Sequence, residues 1–308
     1  MNIMSISFNY MHHALHGVLR MMAMAALLCL TLAASGQDIE YTSADSAKVV
    51  KLLKDATTQR GDTHPLFYFG QKLLGTPYVA HTLENGSKEH LIVNLRQLDC
   101  TTFVETITAL ALCDQQGKRT FSDYCRNLAS LRYRHGKMTD YTSRLHYFTW
   151  WAEDNEQLGI VKDIAPQKAP WGPFTATQRI NINYMSMHPS AYKQLKSHPN
   201  LVPIIKKAEQ DSNGKQYRYI PKSNLGWKQG SSLGMVHTGD IVAMLTDRDG
   251  LDTRHIGIAV WQNGQLHFMH ASSLYGKVVI SKETFFDYQK KQTKQTGIRV
   301  FRLQEHKR

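Results

Sequence analysis

The chain contains few cysteines, and none of them is spaced as in a zinc site. There are four in 308 residues, with no CxxC pair and no Cys/His pair at zinc-finger spacing, so we predict neither a structural metal nor a cofactor. Cys29 falls in the leader described below. The three that remain, Cys100, Cys113 and Cys125, are an odd number, which predicts at least one free thiol and leaves a bridge between the last two open.

The N-terminal apolar run is too short to cross a membrane. It spans residues 21–32, whereas a spanning helix needs about 20 apolar residues. Arg20 precedes the run and small residues follow it as far as Gly36, which is typical of a signal peptide. We predict a signal peptide over residues 1–36 and a single domain over residues 37–308. The mature chain would then be exported, periplasmic or secreted, with no integral membrane segment.

The charge is positive but not concentrated. Lysine and arginine number 37 against 25 acidic residues, a formal net charge of +12. A positive surface favours anionic partners such as acidic cell-wall fragments, although a solvated surface explains it equally well. Because no segment is dense in basic residues, we predict no nucleic-acid partner.

Hydrophobic periodicity divides the chain into a helical first half and a strand-rich tail. Helices are predicted at residues 43–56, 65–74, 100–112, 121–132 and 143–158. Strands are predicted at residues 240–246, 255–261, 266–272, 277–281 and 298–303, with a helix at 283–290. Helices followed by strands indicate an α+β domain, with early helices packed against a C-terminal antiparallel sheet.

Two segments between these halves are less regular. The tetrapeptide at residues 84–87 is turn-like and separates two short runs, 79–83 and 90–95, which predicts a hairpin. Residues 159–234 are rich in Pro, Gly, Asn, Ser and Lys, and only residues 190–196 have a helical pattern. We therefore predict a loop-rich elaboration of the same domain over residues 159–234.

Cys100 stands at the start of the helix predicted over residues 100–112. A helix N-terminus stabilises negative charge on sulfur and lowers the thiol pKa. Asp99, directly before it, is by default the N-cap of that helix. Most free cysteines are small core residues, so a catalytic role for Cys100 requires a base nearby.

His255 can supply that base because it begins a predicted strand. Alternation along residues 255–260 places His255, Gly257 and Ala259 on one face and branched residues on the other. We expect the two small residues to leave room for the helix end to approach the imidazole.

A second histidine falls in register with the first. If residues 263–264 (Asn-Gly) form a two-residue turn, Gln262 pairs with Gln265. His270 then lies on the same face as His255 and diagonally across from it, about 7–8 Å away. At that separation it can orient the imidazole, which is the third role in a Cys-His-X triad.

Short motifs spread over residues 65–303 resemble the NlpC-type cell-wall hydrolases, and more specifically their N-acetylmuramoyl-L-alanine amidase-like branch. In chain order they are Gly75-Thr76-Pro77-Tyr78, Asn94-Leu95, Asp99-Cys100-Thr101-Thr102-Phe103-Val104-Glu105, Ser143-Arg144-Leu145-His146-Tyr147, Gly239-Asp240-Ile241, His255-Ile256-Gly257-Ile258 and His270-Ala271-Ser272. The run at residues 99–105 is the most specific of them. The resemblance implies a papain-like fold and a Cys-His-His triad that cleaves peptidoglycan stems.

Carried onto this sequence, the resemblance implies that Cys100 is the nucleophile, His255 the base and His270 the residue that orients the base. It also implies that Tyr78 lines the site and that Asp99 contacts the substrate. The residues that we predict to bind substrate are Tyr78, Asp99, Thr101, Arg254 and Ser272.

The residues after the cysteine point to the bond that is cut. In the broader superfamily Ser-Gly or a similar pair follows the cysteine, and the preceding aspartate contacts a free amine. Here Thr101 and Thr102 follow it, so the resemblance favours the amidase branch, which cuts between the muramoyl lactyl group and L-alanine through a thiol acyl-enzyme. Two alternatives stay open: a D-Glu–diaminopimelate endopeptidase with the same triad, and a non-catalytic cell-wall-binding module. The predicted partner is peptidoglycan or a released muropeptide.

Other motifs are interpreted as structural. Residues 230–234 match G-x-S-x-G without the strand that must precede it, and residues 247–252 lack the distal glutamate of a calcium loop. The tryptophan pair at residues 150–151 is expected to anchor the core. Histidines without ligand spacing are expected to be structural or surface groups, namely His64, His90, His146, His188 and His237.

Overall fold

The fold was obtained as a computed structural model that describes residues 38–165, 172–226 and 232–305. The predicted signal peptide and the first two residues of the G-x-S-x-G motif lie outside the described residues. The helices are α1 (Ser43–Gln59), α2 (Pro65–Lys72), α3 (Cys100–Gln115), α4 (Phe121–Arg132), α5 (Phe148–Gln157), α6 (Tyr184–Met187), α7 (Lys193–Ser197), α8 (Val202–Ser212) and α9 (Phe285–Lys290). The strands are β1 (Ile39–Glu40), β2 (Leu91–Ile92), β3 (Val161–Asp163), β4 (Ala176–Arg179), β5 (Gln216–Pro221), β6 (Ile241–Thr246), β7 (Thr253–Gln262), β8 (Gln265–Ser272), β9 (Lys277–Ile280) and β10 (Gln295–Leu303).

The main sheet is antiparallel and is built mostly from the tail of the chain. Its strand order is β4-β5-β10-β6-β7-β8-β9, and β3 pairs with one end of β10. The turn between β7 and β8 is the predicted two-residue turn: Asn263 and Gly264 both have positive φ, and Gln262 pairs with Gln265. That register is therefore confirmed, and the fold is a mixed α+β arrangement of helices and an antiparallel sheet.

Two apolar cores lie on opposite faces of this sheet. The larger one joins α3, through Phe103, Val104 and Ile107, to Ile258 of β7 and Met269 of β8. The smaller core lies on the other face, and its members from the sheet and α9 include Met244, Ala259, Phe268, Phe285 and Tyr288. The tryptophans at 150 and 151 are each 2% exposed, as expected of core residues.

The predicted hairpin over residues 79–95 is wrong. Leu91–Ile92 pairs in parallel with Ile39–Glu40 near the N-terminus, and Tyr78 forms a parallel bridge with Leu98. The backbone groups that would join the two strands of a hairpin bond instead to distant partners. The Val93 amide, for example, donates to the Glu40 carbonyl at 2.8 Å.

The segment at residues 159–234 is more regular than predicted. It contributes β3, β4 and β5 to the main sheet and carries α6, α7 and α8. Phe174, Ile182 and Ile220 are fully buried there. Its apolar residues are widely separated in sequence, and each packs against a distant strand or helix, so local periodicity does not reveal them. Among the described residues, no helix has both the length and the apolar content needed to cross a membrane.

A buried ion pair ties α3 to α4. The Glu105 carboxylate accepts from Arg132 Nε at 2.8 Å, and both side chains are 3% exposed. Arg132 also donates to the Ile92 carbonyl at 2.7 Å. Since the pair connects α3 with a neighbouring helix and with β2, it fixes the helix that begins with Cys100.

Removing one partner should therefore be strongly destabilising, because the other charge stays buried. We expect Glu105→Gln to lower the free energy of unfolding by about 3 kcal/mol. Asp211→Asn, which breaks the exposed Lys207–Asp211 pair on α8, should cost less than about 1 kcal/mol. Urea unfolding followed by far-UV circular dichroism measures both. Equal effects of the two substitutions would contradict the structural role of the buried pair.

Candidate active site

A capping box fixes where α3 begins. The Asp99 carboxylate accepts from the Thr102 amide at 2.8 Å, and the Asp99 amide donates to the Thr102 hydroxyl at 2.9 Å. This reciprocal pair satisfies two polar groups that a helix end otherwise leaves without partners. Cys100 is the first residue of the helix as a result, and its side chain is half-buried.

The loop before the capping box is held by α1. Asp45 is fully buried, and its carboxylate accepts from the Leu95 amide at 2.9 Å and from Arg96 Nε at 3.2 Å. The Asn94 side chain then accepts from the Arg96 and Gln97 amides at 3.0 and 3.1 Å. These bonds give a structural reason for the Asn94-Leu95 motif, because they set the path of the chain into Asp99.

The two predicted histidines contact each other. His255 Nε2 and His270 Nδ1 are 2.6 Å apart, and the rings meet edge to face with centroids 4.8 Å apart. His270 is fully buried, whereas His255 is half-buried. The structure therefore brings the pair into hydrogen-bonding contact, as the register analysis expected.

The expected use of Gly257 is wrong. Helix α3 packs against Ile256 and Ile258, whereas the face with His255, Gly257 and Ala259 belongs to the smaller core on the other side of the sheet. A Cβ on Gly257 would overlap the Met269 carbonyl and come within 2.7 Å of the Phe268 ring. The space beside the histidine is thus taken by Phe268, not by the helix end.

Phe268 supports both imidazoles from that position. Its ring centroid is 5.8 Å from that of His255 and 4.6 Å from that of His270. Tyr288 of α9 closes the far side, with its ring edge-to-face with His270 at 5.4 Å. Gly257 therefore acts indirectly, because its missing side chain makes room for the ring that holds the histidines.

Cys100 and His255 line the same cavity at the end of the sheet where β7 begins. The Ile256 backbone and Thr101 lie close enough to the thiol to lower its pKa, against the larger effect of burial. Because Nε2 of His255 faces His270, Nδ1 is the nitrogen left for the thiol. This arrangement can pass a proton from sulfur to His255 while His270 fixes the ring.

Burial keeps all three groups neutral. It lowers the pKa of His255 to about 4, helped by the charge of Arg254, and lowers the pKa of His270 to about 2, helped by His255. Burial also raises the pKa of the Cys100 thiol to about 12, and the Asp99 carboxylate adds to this. The expected depressed thiol pKa is therefore wrong: desolvation and a neighbouring anion outweigh the helix N-terminus.

Three cavities meet at Cys100, and we name them by their walls. The aromatic cavity is lined by Cys100, Leu145, Tyr147, Phe148, Trp151, Met185 and Tyr192, among others. The cationic cavity is lined by Cys100, Tyr78, Arg248, Arg254, Ser272, Tyr288 and Gln295, among others. The acidic cavity is lined by Cys100, Tyr78, Glu84, Asp99, Glu105 and Arg144, among others.

Each residue predicted to bind substrate lines at least one of these cavities. Tyr78 lies between the cationic and acidic cavities, Thr101 between the aromatic and acidic ones, and Arg254 between the aromatic and cationic ones. Ser272 lines the cationic cavity and Asp99 the acidic one. Within the described residues, no three His, Cys, Asp or Glu side chains are grouped so that they could hold a metal ion.

Sequence reasoning missed most of the aromatic and cationic walls. His146 was expected to be structural or at the surface, yet it lines both the aromatic and the acidic cavity. Its Nε2–H donates to the Tyr141 carbonyl at 2.8 Å. Burial, together with the charge of Arg144, holds the pKa of His146 well below the usual value. The one feature of the sequence that includes His146 is the motif at residues 143–147, and that motif does not by itself indicate a function for the histidine. Arg248 and Gln295 had no signal, because they come from a loop and a strand end far apart in sequence.

The chain is similar to known amidases. A family model described as AmiA-like, N-acetylmuramoyl-L-alanine amidase-like, matches residues 68–298. An N-acetylmuramoyl-L-alanine amidase from Bacteroides uniformis ATCC 8492 is 40% identical, with a TM-score of 0.72 over 78% of this chain and 98% of that one. A Bacteroides fragilis protein provisionally assigned as a xylanase is 42% identical, with a TM-score of 0.70 over 76% of this chain and 99% of that one.

A more distant structure shares the fold alone. It is a Legionella pneumophila protein with 21% identity and a TM-score of 0.65, covering 85% of this chain and 95% of that one. A comparison with curated proteins finds no match.

The neighbouring carboxylate provides a test of the thiol environment. Asp99→Asn keeps a good N-cap residue but removes one negative charge beside Cys100, so the thiol pKa should fall by about one unit. The thiolate fraction then rises about tenfold while its intrinsic reactivity falls about threefold, which gives about threefold faster alkylation at pH 8. Iodoacetamide labelling of Cys100, followed by mass spectrometry, measures the rate.

Asp123→Asn on α4 is the matched control, since Asp123 takes part in a capping box remote from all three cavities. It should leave the labelling rate of Cys100 unchanged. A slower rate in Asp99→Asn than in the parent protein would show that Asp99 does not raise the thiol pKa.

Proposed function

The chain belongs to the N-acetylmuramoyl-L-alanine amidase-like family, and from this premise we propose that it is a cysteine amidase of papain-like, NlpC-type fold. Its reaction would be hydrolysis of the amide between the muramoyl lactyl group and the L-alanine of the stem peptide. The observation that carries the proposal is Cys100 at a helix start, in one cavity with His255, whose Nε2 is hydrogen-bonded to the buried His270. The apolar leader at residues 21–32 supports an exported protein, periplasmic or secreted, that meets peptidoglycan or its fragments there.

The reaction starts from a neutral thiol and a neutral imidazole. As sulfur attacks the amide carbon, His255 Nδ1 takes the thiol proton, and the imidazolium is stabilised by donation from Nε2–H to His270 Nδ1. His255 then returns the proton to the leaving nitrogen of L-alanine, leaving a thioester on Cys100. Water, activated by His255, hydrolyses the thioester to release the muramoyl group.

The capping box supports the amidase over the endopeptidase. Thr102 engages one oxygen of Asp99 through both its amide and its hydroxyl, at 2.8 and 2.9 Å. An aspartate held in this way has less capacity to bind a free ammonium group, which is the recognition that endopeptidase relatives use. The bond to L-alanine is therefore the better candidate than the bond between D-Glu and diaminopimelate.

The xylanase assignment of the Bacteroides fragilis protein finds little support in this chain. A glycosidase needs two carboxylates with separate roles as acid and as nucleophile or base. The carboxylates of the acidic cavity are already engaged: Glu84 with Arg144 at 2.8 Å, Glu105 with Arg132 at 2.8 Å, and Asp99 in its capping box. The thiol at the meeting point of the three cavities has no role in that chemistry.

Cys100→Ala should abolish hydrolysis of a disaccharide-tetrapeptide muropeptide, because no thioester can form. The parent protein should release an intact stem peptide that begins with L-alanine, identified by mass spectrometry. Cys113→Ala, in the buried part of the same helix, is the matched control and should retain activity.

The products also separate the alternatives. Cleavage between D-Glu and diaminopimelate would establish the endopeptidase, and binding without any cleavage would establish a non-catalytic wall-binding module. Full activity in Cys100→Ala would overturn the cysteine mechanism.

The pH profile follows from the neutral resting state. His255 must be neutral to accept the thiol proton, so kcat/KM should fall about tenfold per pH unit below about pH 4. The pKa of the Cys100 thiol is about 12. Its titration should therefore change kcat/KM between pH 5 and pH 9 much less than protonation of His255 does below pH 4. Initial rates on muropeptide across this range test both limbs.

Folding has to be followed in the same buffers. His255 and His270 are buried neutral, so the unfolded chain binds protons that the folded chain does not between their ordinary pKa and the lowered ones. The free energy of unfolding therefore falls as the pH drops through that window. Tryptophan fluorescence at each pH separates this loss of fold from protonation of the base. An acid limb near pH 6.5 in folded protein would contradict the lowered pKa of His255.

A further inference from the structure

The cavities on two sides of Cys100 carry opposite charge. The acidic cavity has three carboxylates, of which Glu84 is paired with Arg144 and Glu105 with Arg132, so that Asp99 has no cationic partner among the described residues. The cationic cavity has two arginines, Arg248 and Arg254, and no acidic side chain among its lining residues. A substrate lying across the nucleophile therefore meets a difference in potential that comes mainly from the two arginines.

The two arginines are free to bind an anion. Both are exposed, and neither forms an ion pair with any acidic side chain within the described residues. The Arg248 guanidinium stacks 5.4 Å from the centre of the Tyr184 ring, which limits its motion without neutralising its charge. Arg254 directly precedes His255 and contributes to lowering its pKa.

Buried polar groups surround the same cavity. Gln295 is 5% exposed and its Oε1 has no hydrogen-bond partner in the part of the chain that the structure describes. Ser272 is 2% exposed, and its hydroxyl oxygen accepts from the Tyr275 amide at 3.3 Å, which leaves its own proton to donate. The unpartnered oxygen of Gln295 is an acceptor, which a carboxylate does not satisfy, so the groups that can donate to an anion here are the Ser272 hydroxyl and the N–H groups of the Gln295 amide.

We propose that the cationic cavity is a carboxylate-binding subsite, in which Arg248 and Arg254 hold an acidic group of the stem peptide. Two guanidinium groups match a carboxylate in geometry as well as in charge, and the amide of Gln295 and the hydroxyl of Ser272 supply further polar contacts. The carboxylate nearest to the proposed scissile amide is the α-carboxylate of the second stem residue, D-glutamate. This inference rests on the proposed amidase function, and it assigns the stem peptide to the cationic side of Cys100 and the sugar to another cavity.

The test compares two muropeptides that differ only in that carboxylate. One carries D-glutamate and the other D-isoglutamine, in which the α-carboxylate is a neutral carboxamide. The parent protein should have a kcat/KM about tenfold higher for the acid form, mostly through KM, because a charge-assisted bond is lost with the amide. Arg248→Gln should lower kcat/KM for the acid form about tenfold and abolish the preference, with kcat nearly unchanged.

Arg126→Gln is the matched control, since it also removes one positive charge but from an exposed arginine on α4 that lines none of the three cavities. It should keep the full preference for the acid form. Arg254→Gln should also abolish the preference, although its position beside His255 allows an additional change in kcat. An equal loss for both muropeptides in Arg248→Gln, or an undiminished preference, would overturn the proposal.

A binding measurement keeps this result separate from the proposed function. Calorimetry with Cys100→Ala and the two intact muropeptides needs no cleavage. If the parent protein cleaves neither muropeptide, the amidase proposal fails, while tighter binding of the acid form that is lost in Cys100→Ala/Arg248→Gln still supports the subsite. Equal affinity of the two muropeptides for Cys100→Ala would overturn the subsite whatever the activity.

Discussion

The reciprocal capping bonds between Asp99 and Thr102 fix the first residue of α3, and the rest of the site depends on that position. A helix that started one residue later would turn the thiol about 100° around the helix axis, away from the start of β7. The buried Asp45 carboxylate and the Glu105–Arg132 pair hold the two sides of this helix end. These hydrogen-bonded polar groups inside the fold thus determine where the sulfur of Cys100 lies, and that is the atom whose position has to be accurate.

The same capping box has an electrostatic consequence. Asp99 is needed to begin the helix, but its charge raises the thiol pKa in the direction that burial already favours. The site therefore does not store a thiolate. It holds a neutral thiol and a neutral imidazole. In the proposed mechanism the proton moves only as the carbon–sulfur bond forms, and the charge that develops on His255 is shared with His270. Such an arrangement keeps the thiol unreactive toward other electrophiles until a substrate amide is in place.

The sequence predicted those parts of the fold that local patterns determine. Helix α4 was predicted with its observed bounds, Phe121–Arg132, because its N-cap, Thr120, and its apolar spacing are local features of the sequence. The β7–β8 register followed from Asn263 and Gly264 alone. The failures have a common cause, since Leu91 pairs with Ile39 and Ile220 with Ile298, and such long-range pairings leave no local periodicity.

The candidate site also has one part that local sequence patterns predict and another part that depends on contacts between distant segments. Cys100, His255 and His270 could be selected from a helix start and a strand register, but the function of Gly257 could not, because Phe268 reaches it from the neighbouring strand. Strand parity gave the correct face for the histidines and the wrong side of the sheet for the helix. The cause is that the thiol lies at the end of β7, near the Ile256 backbone and in one cavity with His255, and not across the face of the sheet.

Placing the nucleophile at the end of the sheet also explains why three cavities converge on it. Loops from every part of the chain can reach that edge: residues 78–84 before α3, residues 144–148 before α5, residues 248–254 before β7, and Gln295 at the start of β10. Together these loops supply the aromatic, acidic and cationic walls, and some of them line two cavities at once. In the proposed amidase, chemistry would be fixed by α3 and two strands, whereas recognition would be supplied by separate loops that can vary without moving the thiol. The charge difference across Cys100 is therefore a property of the loops, and it can select the orientation of a substrate whose two ends differ in charge.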